Sequence, residues 1–107
     1  MNSKSEGEIL YLIPGVDLVA DRFDELRTYF HAQLKEHRDI HNVILDAEGV
    51  TFVDSLGVNL IIGLYKDLEK NTSTFKIINA SEKLMKVARF FKFSSLFQVE
   101  PVKREDQ

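Results

Sequence analysis

Cysteine is absent from the 107 residues of this chain, which excludes disulfides and metal sites built on thiolates. Basic charge is also scarce, because 14 Lys and Arg stand against 17 Asp and Glu and leave a net charge of -3. Nucleic acids and anionic membranes are bound through basic surfaces, so this composition favours a protein partner or a small ligand.

The chain also lacks long apolar runs. No stretch approaches the roughly 20 apolar residues that a membrane helix needs, and the first ten residues lack the apolar core of a signal peptide. We therefore expect a soluble, cytoplasmic protein with no direct membrane insertion. The length and the hydrophobic content of 44% predict one domain over residues 1–107, with a core at about 8–101, a short polar N-terminus and a charged C-terminal tail.

Motifs of nucleotide binding and catalysis are missing too. The sequence contains neither a G-x-x-x-x-G-K-[ST] phosphate loop nor a G-x-G-x-x-G run. The nucleophile motif G-x-S-x-G fails around Ser55, because Val53 occupies its first glycine position and His31, His37 and His41 all precede the serine. His37 and His41 have the spacing of metal ligands on a helix, but they fall at a helix exit and are better explained as solvated loop residues. We expect no enzymatic activity, no metal and no cofactor.

The apolar pattern alternates between strand-like and helix-like segments. Strands are predicted in "EILYLIPG", "NVILDA", "TFKIIN" and "LFQVEP", and helices over about 20–37, from Leu56 to about Asn71, and in "SEKLMKVARFF" with Ser81 as N-cap. Four phenylalanines are assigned to the core: Phe90, Phe91, Phe93 and Phe97. The alternation predicts an α/β domain with a central mixed sheet of four to five strands, "NVILDA" in its middle and covered on both faces, and amphipathic helices packed on the sheet.

The stretch "FVDSLG", Phe52 to Gly57, joins the "NVILDA" strand to the following helix. Asp54 or Ser55 is placed to act as the N-cap, where a side-chain oxygen accepts a hydrogen bond from a free N–H of the first turn. Capping alone explains an Asp-Ser pair at a helix start. The residues by themselves therefore leave a structural and a functional interpretation open.

From about Glu8 to Pro101 the sequence resembles the STAS domain of bacterial anti-sigma factor antagonists. The order of "LIPGVDL", "VILDAEGVTFVDSLGVNLIIGLYKDL", "FKIINASEKLMKVARFF" and "LFQVEP" carries this resemblance. Its most specific part is "LDAEGVTFVDSLGV". This stretch is similar to the family pattern of a strand ending in Asp, a short loop, an apolar pair and Asp-Ser-x-Gly opening a helix.

The resemblance implies that Ser55 is phosphorylated by an anti-sigma factor that is itself a serine kinase of the histidine-kinase-like ATPase type. The unmodified protein then binds this kinase and frees the sigma factor, and a serine phosphatase restores the unmodified form. The implied contacts with the partner lie at Asp17, Asp54, Ser55, Leu56, Gly57 and Val58. A structural alternative stays open for several of them: capping for Asp54, close packing for Gly57, and a core position for Leu56 or Val58.

The sequence departs from the family pattern at three places. Leu56 replaces a frequent second serine, Asp17 comes one position early in the first turn, and Lys92 or Phe93 stands where a glycine usually ends the last helix. Other STAS domains serve as subunits of ABC-type lipid transport complexes or as scaffolds in stress-signalling complexes, and both remain alternatives. Pairing of two copies into a homodimer through an exposed edge strand also stays open.

Overall fold

The structure of the protein is a computed structural model, which describes residues 1–70 and 74–103. The predicted helix end at Asn71 and the tail residues 104–107 lie outside these ranges. The strands and α-helices are β1 (Asn2–Glu6), β2 (Ile9–Ile13), α1 (Phe23–Glu36), β3 (Asn42–Asp46), α2 (Ser55–Glu69), β4 (Thr74–Ala80), α3 (Glu82–Phe90) and β5 (Gln98–Pro101). Short 3-10 turns precede α1 at Ala20–Arg22 and follow α3 at Phe93–Ser95.

The strands form one sheet in the order β1-β2-β3-β4-β5. β1 pairs antiparallel with β2, whereas β2, β3, β4 and β5 pair in parallel. This mixed sheet with its helices confirms the predicted fold class. Each parallel pair is connected through an α-helix, as parallel strands require. The segments that follow β2 and β3 therefore leave the sheet on the same side, at the carboxyl ends of the strands. There they meet each other and the start of α2.

The apolar pattern does not predict β1, because its residues "NSKSE" are all polar. Besides the backbone ladder to β2, side chains of α1 hold it in place. The Ser3 hydroxyl donates to Gln33 Oε1 at 2.6 Å, and the Tyr29 hydroxyl donates to the Asn2 carbonyl while accepting from the Ile13 N–H at 2.9 Å. The polar N-terminus is thus an edge strand, and the sheet begins at Asn2 rather than near residue 8.

The core lies on one face of this sheet. Leu12 of β2, Leu45 of β3 and Ile77 of β4 stand side by side in register and are at most 1% exposed. They share one buried cluster with residues of α1, α2 and α3: Leu26, Phe30, Leu60, Leu64, Leu84 and Ala88. On the opposite face, Ile44 lies in register between Tyr11 and Lys76 and outside that cluster. The predicted central position of β3 is confirmed. On its second face, Ile44 is flanked by the side chains of the two neighbouring strands and not by residues of the core cluster.

The phenylalanines near the end of α3 divide into two pairs. Phe93 and Phe97 are 0% and 7% exposed and pack in the core, as predicted. The core assignment of Phe90 and Phe91 is wrong, since these side chains are 79% and 45% exposed. Phe90 lies two residues past the buried Ala88, about 200° around the helix, and therefore faces solvent.

The chain turns after α3 at Lys92. This residue has φ 55° and ψ 44°, a left-handed conformation that lysine adopts less readily than glycine. The resemblance expects a glycine at this junction, and the backbone here has the conformation that glycine favours. Ser95 closes the turn, because its N–H and its hydroxyl both donate to the Lys92 carbonyl, at 3.1 and 2.7 Å.

Candidate functional site

The start of α2 is capped by Asp54. Its backbone is extended, with φ -96° and ψ -173°, and its Oδ1 accepts a hydrogen bond from the Gly57 N–H at 2.9 Å. Its second oxygen, Oδ2, accepts from the Ala20 N–H at 2.9 Å. One carboxylate therefore closes the first turn of α2 and joins it to the segment after β2. Of the two candidate caps, Asp54 and Ser55, the structure uses Asp54.

Gly57 brings the first turn of α2 against the backbone of Leu18. A Cβ at this position would lie 2.0 Å from the Leu18 carbonyl oxygen and 2.9 Å from the Leu18 Cβ. Leu18 is 1% exposed and fixed in the core, so it has no room to move aside. Close packing accounts for this glycine without any partner.

Hydrogen bonds join the segment after β2 to the loop before α2. The Leu18 N–H donates to the Phe52 carbonyl at 3.0 Å, and the Asp54 N–H donates to the Leu18 carbonyl at 3.1 Å. Oδ1 of Asp17 accepts from the N–H groups of Thr51 and Phe52, at 2.9 and 3.1 Å. Asp17 therefore lies beside the "FVDSLG" stretch, at the carboxyl ends of the strands. Its carboxylate holds the loop before α2 through these two hydrogen bonds.

Ser55 is the first residue of α2, and its side chain is exposed. Because Asp54 provides the cap, the Ser55 hydroxyl forms no hydrogen bond with any residue in the described ranges. Leu56 beside it is 38% exposed, whereas Val58 is 5% exposed and packs in the core. Ser55 and Leu56 are accessible to a partner, and the side chain of Val58 is not.

Phe52 is an exposed residue of the site that the motif alone does not single out. Its side chain is 48% exposed, and the Lys83 ammonium lies 5.6 Å from the centre of its ring. The alternation of an extended segment could have predicted this exposure. Val53 pairs with Leu18 and is buried, so the preceding residue, Phe52, points outward. Exposed apolar side chains thus precede and follow Ser55 in the chain, and we call this set, Phe52, Ser55 and Leu56, the Ser55 surface.

The site carries a fixed negative charge. Hydrogen bonds from the N–H groups of Gly57 and Ala20 hold the pKa of Asp54 below its ordinary value of 3.8. Asp54 is therefore ionised at neutral pH, in the position next to the Ser55 hydroxyl. A second negative group on Ser55 would lie on the adjacent residue and would be repelled by this charge.

The described residues hold neither a metal-binding cluster nor a helix suited to a membrane. Within 1–70 and 74–103, no group of three or more His, Cys, Asp or Glu side chains is placed to hold a metal ion. None of the helices in these ranges is both long and apolar enough to cross a membrane. The start of α2 combines an exposed serine, exposed apolar side chains and a fixed negative charge, and it is the candidate site.

The arrangement around α2 belongs to a known domain type. The sequence profile of the STAS domain matches residues 2–105. This chain belongs to the STAS domain family. The match extends over β1, which the apolar pattern misses, and it confirms the resemblance carried by "LDAEGVTFVDSLGV".

Solved structures share the STAS fold of this chain. A candidate anti-sigma factor antagonist from Thermotoga maritima aligns with a TM-score of 0.81 at 13% identity, covering 98% of this chain and 87% of that chain. The anti-sigma factor antagonist SpoIIAA in its unphosphorylated form gives 0.68 at 19% identity, with 98% and 90% covered. SpoIIAA, a Bacillus cell fate determinant, gives 0.66 at 18% identity in its phosphorylated form, with 98% and 92% covered.

Proposed function

We propose that this STAS domain is an anti-sigma factor antagonist that works by partner switching. The unphosphorylated form binds an anti-sigma factor serine kinase and frees the sigma factor, phosphorylation of Ser55 blocks this complex, and a serine phosphatase reverses the block. The protein acts in the cytoplasm by binding and catalyses no reaction itself. The observation that carries the proposal is the exposed Ser55 side chain, whose hydroxyl has no hydrogen-bond partner among the described residues, while Asp54 caps α2.

A phosphate on Ser55 is compatible with the fold. It carries about -1.5 to -2 charges at a helix N-terminus, where the helix dipole and free N–H groups favour an anion. The ionised Asp54 beside it repels the phosphate and offsets part of this stabilisation. We therefore expect α2 to keep its structure on phosphorylation, so that the effect falls on the partner.

The two forms of SpoIIAA support a switch without refolding. The fold described above matches the unphosphorylated form at a TM-score of 0.68 and the phosphorylated form at 0.66, each over 98% of this chain. SpoIIAA thus keeps the STAS fold in both forms, which is compatible with a switch that works without refolding.

The partner contact centres on the Ser55 surface. Phe52 and Leu56 supply exposed apolar area, and aromatic residues such as phenylalanine are enriched at protein interfaces. Burial of an unpaired phosphate among them costs several kcal/mol, and each ~1.4 kcal/mol lowers the affinity about tenfold. The other residues that the resemblance implies position this surface through contacts within the domain: Asp17, Asp54, Gly57 and Val58.

Mass analysis of the protein purified from its own cells tests this proposal. Fragment mapping is expected to find a phosphate on Ser55 in the wild type and none in Ser55→Ala. The unmodified protein should capture a serine kinase that phosphorylates it, and Ser55→Asp should bind this kinase at least about tenfold more weakly. Ser94→Ala is the matched control, because Ser94 is an exposed serine outside the site. This control should keep the phosphate on Ser55.

The absence of a Ser55 phosphate under every growth and stress condition would refute the switch. Ser55 would then be an uncharged surface residue, and the next hypothesis to test is a STAS subunit bound to the ATPase of a lipid transport complex, which needs no phosphorylation. Neighbouring genes separate the two: a kinase and a sigma factor accompany a switch, whereas permease subunits accompany a transport complex.

A further inference from the structure

Acidic and basic residues are unevenly distributed along the chain. Residues 81–97, which contain α3 and the turn after it, hold four Lys or Arg and one acid, for a net charge of +3. The other 90 residues hold ten Lys or Arg and sixteen acids, for a net charge of -6. The overall charge of -3 therefore conceals a basic segment on an acidic domain.

Cations and an aromatic ring share the solvent face of α3. Lys83, Lys86 and Phe90 follow one another at three- and four-residue steps, which places them along one side of the helix, and all three are exposed. We call this row the α3 stripe. Phe90 is 79% exposed, and its ring packs edge-on against Phe91 with the ring centres 5.0 Å apart. Aromatic side chains of this kind are enriched at protein interfaces.

The α3 stripe begins at the Ser55 surface. Lys83 lies over the ring of Phe52, and the Ser81 hydroxyl donates to the Thr51 carbonyl at 3.3 Å. A helix rises about 1.5 Å per residue, so Phe90 lies roughly 10 Å along α3 from Lys83. Because a standard interface buries about 800 Å² on each partner, a single partner can cover the Ser55 surface and the α3 stripe together.

We propose that the α3 stripe is a second docking surface for the kinase and that it receives an acidic face of this partner. This inference rests on the proposed function. A symmetric pairing of two stripes does not fit, because a two-fold contact of α3 with α3 brings the four cations Lys83 and Lys86 of the two copies together. A partner with carboxylates opposite the lysines and an apolar recess for Phe90 matches both features of the stripe.

An acidic partner face also explains how one phosphate separates the complex. Lys83 and Lys86 attract this face and accelerate association, since charges at the rim of an interface act mainly on the association rate. A phosphate on Ser55 introduces negative charge into the same footprint, next to the ionised Asp54. The partner's carboxylates then meet repulsion at one end of the surface they share.

Binding kinetics with the purified kinase test the α3 stripe. Lys83→Glu/Lys86→Glu is compared with Lys35→Glu/Lys66→Glu, which makes the same charge change at exposed positions of α1 and α2. The stripe variant should bind at least about tenfold more weakly than the control at low salt, through slower association, and this difference should shrink in about 0.5 M salt. Phe90→Ala should lose about five- to thirtyfold in affinity, through faster dissociation. Circular dichroism and urea unfolding check that each variant is folded.

The outcomes separate this inference from the partner switch. If the stripe variant binds like its control while Ser55→Asp still weakens the complex, the α3 stripe is overturned and the switch stands. If the kinase binds no form of the protein, both are overturned. Vesicles of phosphatidylglycerol and phosphatidylcholine are the remaining probe: wild-type binding that Phe90→Ala abolishes would assign the stripe to a membrane and overturn the kinase contact.

Discussion

α2 and α3 both begin with a side-chain cap, but a different residue type supplies it. At α3, the Ser81 hydroxyl accepts from the Leu84 N–H at 3.1 Å and donates to the Thr51 carbonyl at 3.3 Å. At α2, Asp54 is the cap, and Ser55 stands one residue inside the helix with an exposed hydroxyl. The Ser81 hydroxyl is thus engaged, whereas the Ser55 hydroxyl has no hydrogen-bond partner within residues 1–70 and 74–103. At α2 the capping role falls to Asp54, which leaves Ser55 exposed for the modification that we propose.

Gly57→Ala should lower the stability of the protein more than the other substitutions, because the first turn of α2 packs directly against the backbone of Leu18. The added methyl group would lie 2.0 Å from the Leu18 carbonyl oxygen and force the start of α2 outward. We expect a loss of about 3 kcal/mol or more in the free energy of unfolding, measured with urea.

Gly63→Ala is the matched control for Gly57→Ala, in the same helix. A methyl group at Gly63 meets nothing within 4 Å, so removal of a mid-helix glycine should raise stability by about 0.5–1 kcal/mol. Equal effects of the two substitutions would contradict the tight contact at Gly57 and, with it, the difference between the two helix starts.

Asp54→Ala should destabilise the protein more than Ser81→Ala, because the Asp54 carboxylate accepts from two N–H groups. The loss depends on pH. The pKa of Asp54 in the folded state lies below 3.8, so the ionised carboxylate stabilises the fold above that value and loses this contribution as the pH falls through the folded pKa.

Urea unfolding across a pH series measures this dependence. The stability gap between wild type and Asp54→Ala should be widest at neutral pH and should narrow as the pH falls below about 4. Ser81→Ala removes a cap that carries no charge, so its gap should stay nearly constant over the same series. A gap for Asp54→Ala that stays constant or widens in acid is incompatible with an ionised cap.

The two serines themselves provide a smaller test. Ser81→Ala should cost about 1 kcal/mol in the free energy of unfolding, the usual loss of an N-cap. Ser55→Ala should stay within about 0.5 kcal/mol of the wild type, because its hydroxyl forms no hydrogen bond within the described residues. Comparable losses at both positions would make Ser55 a structural residue and remove the main support for a modification site.

Much of the fold follows from apolar spacing, and the position of the site follows from the "FVDSLG" motif. The choice of cap does not follow from the sequence, because Asp54 and Ser55 are both good capping residues and the path of the loop decides between them. That path is set by contacts with Leu18 and Asp17, which are distant in the chain. The sequence pattern therefore predicts the motif, but it does not predict which of the two side chains caps α2.

Exposure at the end of a helix is equally hard to predict. Phe90 and Phe91 read as core because they extend an apolar pattern, yet α3 ends at Phe90 and the chain turns at Lys92. The position of that turn decides which phenylalanines point inward. It cannot be predicted from the sequence, because glycine and not lysine is the usual residue in a left-handed conformation after a helix. The apolar pattern does not predict β1, because the polar residues of this strand are held by hydrogen bonds and not by apolar burial.

The C-terminal ends of α2 and α3 extend the contrast and yield the smallest predicted effect. Lys70 after α2 keeps a helical backbone with φ -59°, whereas Lys92 after α3 is left-handed with φ 55°. Lys92→Gly removes the steric cost of a side chain in this left-handed conformation and should stabilise the protein by about 0.5 kcal/mol. Asn79→Gly is the control: Asn79 has φ 56°, but its amide donates to Asp46 Oδ1 at 2.9 Å, so the lost hydrogen bond should cancel any gain. Because Lys92 lies outside the α3 stripe, Lys92→Gly should also leave kinase binding within about twofold of the wild type, and a larger loss would extend the docking surface beyond the end of α3.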